Sequence, residues 1–376
     1  MKKHLLFTML TAGFMTVSCN QQTQIIGNLD NFAADDSLLV MIGRDTDTIP
    51  AHNGQFTYVY NGDQMEVIRF FNFPKRNPDG STQMIRTVKP INVVLFPKTT
   101  VHMSGNLEHP QISGGKFYDE YNKMIGPIEE LKEEYINNSL SYTKKVKEGQ
   151  FSTDEEQAYK EKQANLIKDI NNKTEEYIAS NLASSVSLYL LSTNKLPNGD
   201  KYLEAFSEEL KVGATQNMYN DLKTFYEARA VRKQAAKLIK VGKEAPDFTL
   251  KDVNGKDFTL SSLRGKYVVL DFWGTWCGWC MKGIPAMKKM YETYKDRLEI
   301  VGIACRDKED KWKKVVGEQE MIWTNVFTSE GSNAINNIYN VSMYPCKLIL
   351  SPEGTILHIH VGESEDFYKK IDEYMK

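Results

Sequence analysis

The sequence predicts an α/β chain in which a small antiparallel β-sandwich (residues 19–116) and a helical region (117–240) precede an α/β segment (241–376). Three observations support this prediction. The first segment has short β-branched and aromatic runs separated by turn residues, which is typical of a sandwich. The second segment is rich in Glu, Lys, Ala and Leu. The third alternates strand-like and helix-like runs, which indicates a central sheet covered by helices.

The first 18 residues have the composition of an export signal. The basic run KKH is followed by a mostly apolar run at 5–17, and Ser18 then precedes Cys19. The apolar run is too short to span a bilayer as a mature helix. This arrangement resembles a bacterial lipoprotein signal peptide (1–18), and the resemblance implies that Cys19 is lipidated at the mature N-terminus. A secretory signal followed by an unrelated cysteine is the alternative.

Within the first two segments, apolar patterning predicts the individual elements. The predicted strands are SLLVMI, QFTYVY, MEVIRFF, NVVLF and TVHMSG. The helical region contains MIGPIEELKEEYI, in which apolar residues recur at spacings of three and four, as on one face of a helix. The run from Ser152 to Glu155 reads STDE, and its capping chemistry predicts the start of a second long helix.

The α/β segment begins near residue 241, where Pro246 and an NGK turn mark a boundary. Its predicted strands are YVVLDFW, LEIVGIAC and the hairpin CKLILSPEGTILHIHVG. Its predicted helices are CMKGIPAMKKMYETYKD, KEDKWKKVVGEQ and EDFYKKIDEYMK.

The stretch WCGWC places Cys277 and Cys280 between a predicted strand and a predicted helix. Backbone N–H groups are unpaired at a helix N-terminus and the helix dipole favours an anion, so this position stabilises the thiolate of Cys277. Cys280 lies one helical turn further on and can resolve a mixed disulfide. Asp271 belongs to the apolar strand before the motif. Burial there would raise its pKa and suit it to accept the proton of Cys280.

Two prolines accompany the cysteine motif. Pro285 lies inside the predicted helix and favours a kink. Pro345 follows Tyr344 and precedes the strand CKLIL, a position that favours a cis peptide bond.

Around these residues the sequence reads APDFTL at 245–250 and LRGKYVVLDFWGTWCGWC at 263–280. With the helix proline and the proline before the C-terminal hairpin, the segment 241–376 resembles the envelope thiol–disulfide oxidoreductases of the TlpA and ResA type, of the AhpC/TSA–thioredoxin superfamily. The resemblance implies a thioredoxin fold with Cys277 as exposed nucleophile, Cys280 as buried resolving thiol and Asp271 as buried acid. Pro345 would keep an extended substrate in register as an added strand. Substrate contacts are expected from Trp276, Gly278, Trp279 and Tyr344.

The function expected from the resemblance is disulfide exchange in envelope proteins through the Cys277–Cys280 pair, with no further cofactor. Net reduction is expected because an export-pathway oxidant already keeps envelope thiols paired. The expected partners are disulfide-bearing envelope proteins and a membrane electron donor. A lipid anchor would hold the chain at the cell envelope, with the thioredoxin domain facing the periplasm. The net charge of −2 gives no electrostatic basis for binding nucleic acid. The first segment resembles an uncharacterised β-domain of such lipoproteins, best in DTIPAHNGQFTY.

Four other interpretations stay open at the level of sequence. The cysteine pair could be half of a zinc site, but the sequence has no second ligand pair at suitable spacing, so no metal is predicted. An inert structural disulfide is a second alternative. A thiol peroxidase would share the fold and APDFTL, but that pattern has a Pro and a Thr ahead of one catalytic cysteine. Finally, the chain could be a binding or scaffold lipoprotein that uses the thioredoxin fold for docking.

The sequence departs from the thioredoxin pattern at Trp279, where thioredoxins usually have proline. Trp279 has an N–H that proline lacks, and we hypothesise that this donor stabilises the thiolate and makes the site more oxidising. Alternatively, its ring is an apolar contact surface for substrate. Cys346 and Cys305 are interpreted as small buried hydrophobic residues. The alternative for Cys346, which directly follows Pro345, is that it lies beneath the active site and exchanges with the Cys277–Cys280 pair.

Overall fold

The computed structural model describes residues 22–376 except 31, 33–35, 44, 73–89, 108, 150–151, 329–330 and 332–333. The predicted signal peptide (1–18) and the predicted lipidation site Cys19 lie outside these residues. Internal contacts divide the chain into one unit that extends to Asn220 and a second unit, Asp221–Lys376. The predicted domain limits at 116/117 and 240/241 stay a prediction. Across the described ranges, no helix combines the length and apolarity needed to cross a membrane.

The first unit contains two four-stranded sheets with orders β4-β1-β7-β8 and β3-β2-β5-β6. Phe56 of one sheet contacts Phe70 of the other, with ring centroids 5.7 Å apart, so the sheets pack face to face. The pairing is antiparallel except between β1 and β7, which run parallel. The strands are β1 (Gln24–Leu29), β2 (Ser37–Ile42), β3 (Asp45–Pro50), β4 (Gln55–Val59), β5 (Glu66–Asn72), β6 (Ile91–Leu95), β7 (Thr100–Gly105) and β8 (Gln111–Ser113).

Helices follow the sandwich, as the composition predicts. Ser152 caps α3: its hydroxyl accepts from the N–H of Glu155, whose carboxylate accepts from the N–H of Ser152, so the predicted helix start is confirmed. The helices are α1 (Gly115–Met124), α2 (Gly126–Lys147), α3 (Thr153–Ser180), α4 (Ser185–Asn194), α5 (Lys201–Ala205), α6 (Glu208–Lys211) and α7 (Gln216–Leu238).

The second unit is built on a seven-stranded sheet of order β10-β9-β13-β12-β11-β14-β15. The strands β11, β12 and β13 are parallel to one another, while β14 and β15 form an antiparallel hairpin beside β11. This arrangement is the predicted thioredoxin fold. The strands are β9 (Thr249–Asp252), β10 (Asp257–Thr259), β11 (Tyr267–Trp273), β12 (Leu298–Ala304), β13 (Thr324–Phe327), β14 (Cys346–Leu350) and β15 (Ile356–Val361). The helices are α8 (Gly278–Tyr294), α9 (Glu309–Glu318), α10 (Ile335–Ile338) and α11 (Glu365–Met375).

Two apolar layers cover the sheet and explain why β11 reads as a continuous apolar run. Val268, Leu270 and Phe272 belong to one layer. Val269 and Trp273 belong to the other, which also contains Cys277, Cys280 and Ile284 of the α8 region. Side chains alternate along a strand, so Asp271, which lies between Val269 and Trp273, faces the layer of the cysteines.

Candidate active site

The two cysteines of WCGWC form a disulfide at the N-terminus of α8, with Cα atoms 5.3 Å apart. Cys277 is the N-cap residue, and the N–H of Cys280 donates to its Sγ at 3.2 Å. The strand β11 ends at Trp273 and the helix begins at Gly278, so the motif lies at the predicted strand-to-helix junction. A sulfur in this position faces the unpaired N–H groups of the first helical turn.

The burial of the disulfide corrects one expectation. Cys277 is 7% exposed and Cys280 is 6% exposed, so the expected exposed nucleophile is nearly as buried as its partner in the disulfide form. The reason is that Sγ of Cys277 turns into the helix and is bonded to Cys280, within the apolar layer of Trp273. The exposed surface of the motif belongs to Trp276 (47%) and Trp279 (64%) instead.

The cysteine loop meets the loop of the predicted cis-proline. The Tyr344–Pro345 bond is cis, as the sequence predicts. The ring of Tyr344 packs edge-on against Trp276, with centroids 5.1 Å apart, and Trp276 Nε1 donates to the carbonyl of Cys305 at 3.1 Å. These contacts bring three of the predicted substrate-contact and catalytic positions to one surface beside the disulfide.

The remaining predicted contact residues lie on the first turn of α8. A Cβ atom added at Gly278 would have no heavy atom within 4 Å, so this position borders open space. Trp279 is exposed, and Lys282 Nζ lies 4.7 Å from the centre of its ring. The motif therefore presents an exposed aromatic ring with an ammonium group over it.

Asp307 anchors the loop before the disulfide. Its carboxylate accepts from the backbone N–H of Thr275 at 2.6 Å and from the Thr275 hydroxyl at 2.8 Å. Two charge-assisted hydrogen bonds to one residue fix the loop conformation that delivers Cys277 to the helix N-terminus. This anchor was not predicted from the sequence, because it joins positions 275 and 307, which carry no shared local pattern.

Asp271 is buried on the cysteine side of the sheet, where the sequence places it. Burial raises the pKa of this carboxyl, and the nearby Glu363 carboxylate raises it further, whereas Lys347 opposes the rise. Lys347 Nζ lies 3.6 Å from Asp271 Oδ1 and 2.7 Å from Glu363 Oε2. Lys347 and Glu363 were not among the predicted site residues, although a lysine inside the apolar strand CKLIL is a signal in the sequence that points to a buried charge.

Two free cysteines lie close to the site. Cys346 is buried on β14 opposite Phe272 of β11, and Cys305 is fully buried after β12. Burial raises the pKa of the Cys346 thiol to about 12 and also raises that of Cys305. Both groups are therefore protonated at neutral pH and are poor nucleophiles.

In the parts of the chain that the structure describes, no group of three or more His, Cys, Asp or Glu side chains is arranged to hold a metal ion.

Comparison with known proteins relates the second unit to redox proteins. The family model described as "AhpC/TSA family" matches residues 241–359. The chain is 35% identical over 139 residues to the thioredoxin-like protein YneN of Bacillus subtilis (strain 168), covering 36% of this chain and 80% of that protein. It is 33% identical over 162 residues to the thiol-disulfide oxidoreductase ResA of the same strain, covering 40% of this chain and 82% of that protein.

Solved structures similar to part of the chain include two from Bacteroides. The thioredoxin domain of a thiol-disulfide oxidoreductase from Bacteroides vulgatus is 28% identical, with a TM-score of 0.34, and the match covers 36% of this chain and 99% of that one. A thiol:disulfide interchange protein from Bacteroides sp. is 29% identical, with a TM-score of 0.34, and the match covers 36% of this chain and 90% of that one.

Proposed function

The chain belongs to the ResA-like thiol–disulfide oxidoreductases with a thioredoxin fold, and from this premise we propose that it reduces disulfide bonds of envelope proteins through Cys277 and Cys280. One observation carries the proposal. The disulfide lies at the N-terminus of α8 with Sγ of Cys277 turned toward the helix N–H groups, and a buried carboxyl faces the same layer. An inert disulfide has no need of either feature.

The exchange proceeds in two displacements at sulfur. In the dithiol form, the Cys277 thiolate attacks one sulfur of the substrate disulfide; the substrate S–S bond breaks and its second sulfur leaves as a thiolate, which takes up a proton. Cys280 then loses its proton to Asp271 and attacks Sγ of Cys277. The mixed disulfide breaks, the substrate sulfur leaves as a thiolate and takes up a proton to give the dithiol, and Asp271 releases the proton that it accepted. Two electrons and two protons pass to the substrate, and the protein is left as the disulfide.

Helix position favours Cys277 as the attacking sulfur. Its Sγ accepts the backbone N–H of Cys280, while both cysteines lie in the same apolar layer. A hydrogen bond to the charged form lowers a thiol pKa, and apolar surroundings raise it. The hydrogen bond therefore favours Cys277 as the nucleophile and leaves Cys280 as the resolving thiol.

We assign substrate contact to the surface around Trp276, Trp279 and Tyr344. These rings surround the disulfide, and Pro345 adjoins Tyr344 without a backbone N–H of its own. An extended substrate segment would lie beside Pro345, with main-chain hydrogen bonds for affinity and aromatic contact for its apolar side chains.

Net reduction requires a continuing supply of electrons. An export-pathway oxidant keeps envelope thiols paired, so the useful task for a second exchanger is to open disulfides. We propose that a membrane dithiol donor regenerates the reduced pair, that lipidated Cys19 anchors the chain at the envelope, and that the cysteines are the sole redox group. The thioredoxin domain would then face the periplasm.

The enzymatic activity is tested by insulin reduction with dithiothreitol. We expect the full chain to accelerate insulin precipitation and Cys277→Ser to abolish the acceleration. Cys305→Ser is the matched control, because it removes a buried free thiol whose raised pKa keeps it unreactive. Equal rates for wild type and Cys277→Ser would contradict the proposal and favour the scaffold alternative.

The direction of the reaction is tested by the reduction potential of the pair. Thioredoxin has a potential of about −270 mV and the strong oxidant DsbA of about −120 mV. We expect the Cys277–Cys280 couple, equilibrated with glutathione or dithiothreitol buffers, to fall near the thioredoxin value. A value near that of DsbA would contradict net reduction while leaving the exchange activity intact.

A further inference from the structure

A lysine lies inside the apolar layer that holds the cysteines. The side chain of Lys347 is 2% exposed, and its ammonium contacts Glu363 at 2.7 Å and Asp271 at 3.6 Å. Removing a charge from water costs several kcal/mol unless it is paired, so this arrangement is retained against a large desolvation penalty. Burial lowers the pKa of Lys347, but the two carboxylates outweigh burial and raise it, so the ammonium stays charged.

The three groups face the disulfide side of the sheet. Lys347 lies directly opposite Asp271 in the β11–β14 register, and Ile349, two residues further along β14, belongs to the same apolar layer as Cys277 and Cys280. Side chains two apart on a strand share a face. The charges are therefore buried between the sheet and the helix that carries the cysteines.

Glu363 is held by contacts on its far side. The Tyr368 hydroxyl of α11 donates to Oε1 at 2.6 Å. A methyl group on Gly283, one helical turn after Cys280, would lie 2.4 Å from Oε2, so the carboxylate lies directly against the backbone of α8. Because Tyr368 and the helix fix this carboxylate, the ammonium of Lys347 is held by a partner that cannot easily move away.

The distances from the Lys347 ammonium group to Glu363 and Asp271 show which of the two carboxyl groups it pairs with. The contact to Glu363 has hydrogen-bond length, whereas 3.6 Å to Asp271 is too long for a hydrogen bond. Oδ1 of Asp271 has no hydrogen-bond partner among the described residues. Glu363 is thus the main partner of the Lys347 ammonium group. Asp271 is the carboxyl whose pKa depends on how its neighbours are charged.

We propose that Glu363 and Lys347 are positioning residues for Asp271: Glu363 holds the ammonium away from Asp271 and thereby sets the pH at which Asp271 exchanges a proton with Cys280. This inference rests on the proposed disulfide exchange. It assigns the tuning of the proton acceptor to two residues that lie outside the WCGWC motif and do not touch substrate.

The groups that act on Asp271 come from every neighbouring element. Burial raises the pKa of Asp271 and Glu363 adds to the rise, with Lys347 acting against both. The other titratable groups near it are the two free thiols, the Tyr368 hydroxyl and the active cysteines, namely Cys346, Cys305, Tyr368, Cys277 and Cys280. Burial keeps Cys346, Cys305 and Tyr368 neutral at physiological pH, so they do not compete for the Lys347 charge.

The test is the titration of the Asp271 carboxyl in the oxidised full chain, followed by carbon NMR. Glu363→Gln leaves Asp271 as the remaining anionic partner of Lys347, so its pKa should fall by ~1 unit or more. Lys347→Met removes the opposing charge, so the pKa should rise. Glu365→Gln is the matched control, because it removes one exposed negative charge from the same loop-helix junction and should leave the titration in place.

Opposite shifts in the two variants support the proposal, because a merely structural pair would move the titration in neither variant or in the same direction in both. An unchanged or raised pKa in Glu363→Gln overturns it, and this near-isosteric variant decides the question even if Lys347→Met does not fold. The readout uses the disulfide form without turnover. A failed titration result is therefore distinct from a failed insulin assay, which would overturn the proposed function.

Discussion

Replacing Trp279 by proline tests how the helix N-terminus sets the reactivity of Cys277. Cys277 is the N-cap, so Trp279 and Cys280 supply the N–H groups that an N-cap acceptor ordinarily uses. The disulfide form uses the N–H of Cys280. Trp279→Pro removes the other donor and leaves Cys280 in place. The Trp279 side chain is exposed and proline is tolerated in a first helical turn, so folding should be little affected.

The expected size of the effect follows from one hydrogen bond to a charged acceptor. Such a bond contributes about 1.5 kcal/mol. Losing it should raise the pKa of Cys277 by about one unit and lower the reduction potential of the pair by roughly 30 mV at a pH where the thiolate is populated. The reduction potential falls rather than rises, because losing the donor destabilises the thiolate and therefore the reduced form.

The assay is thiolate absorbance of the reduced full chain as a function of pH, with Trp279→Ala as control. The alanine variant keeps the N–H and loses the ring. The pKa of Cys346 is raised to about 12, so this thiol does not titrate in the same range. An unchanged or lower pKa of Cys277 in the proline variant would refute the reasoning. So would an equal rise in both variants, because the ring and its contact with Lys282 would then be responsible.

Three further predictions concern stability, measured by urea unfolding of the full chain. The raised pKa of Asp271 means that the folded state favours its proton, so Asp271→Asn should gain stability over wild type as pH rises above the ordinary value of about 4 and gain nothing below it; a gain that is constant with pH would contradict this. Gly302→Ala places a methyl group 2.7 Å from a buried amide oxygen and 3.2 Å from two indole nitrogens, so it should lower the free energy of unfolding by about 1–3 kcal/mol. Gly317→Ala, in open space on a helix, should raise it by about 0.5–1 kcal/mol, and equal losses in the two variants would refute the packing argument. Ser152→Ala should lose about 1 kcal/mol of helix capping, and an unchanged midpoint would show that the α3 cap contributes nothing.

Elements with a local signal were predictable from the sequence. The run SLLVMI is β2 and TVHMSG is β7, each with the predicted limits, because alternation and turn residues are properties of a short stretch. The strands β1 (QIIGNL) and β3 (DTDTIP) were not predicted. The polar residues of β3 carry no apolar alternation, and the strand exists because β2 lies beside it. The parallel pairing of β1 with β7 joins segments about 75 residues apart, which no local pattern encodes.

The residues of the site also divide into those with a local sequence signal and those without one. The WCGWC motif, the aspartate on β11 and the cis bond before Pro345 each follow from a few consecutive residues. Glu363 and Lys347 do not, because their importance depends on β14 lying beside β11 and on the loop after β15 reaching back to α8. The burial of Cys277 was also misjudged, since exposure of a sulfur depends on the rotamer that the disulfide and the helix impose.

The charges behind the disulfide are contributed by chain segments that meet only after the whole second unit has assembled. Asp271 and Lys347 are 76 residues apart, and Glu363 lies a further 16 residues along the chain. A chain that has not yet folded therefore carries WCGWC as two ordinary thiols, without a formed α8 and without a buried carboxyl beside them. The proposed exchange activity should therefore appear only after the second unit has folded.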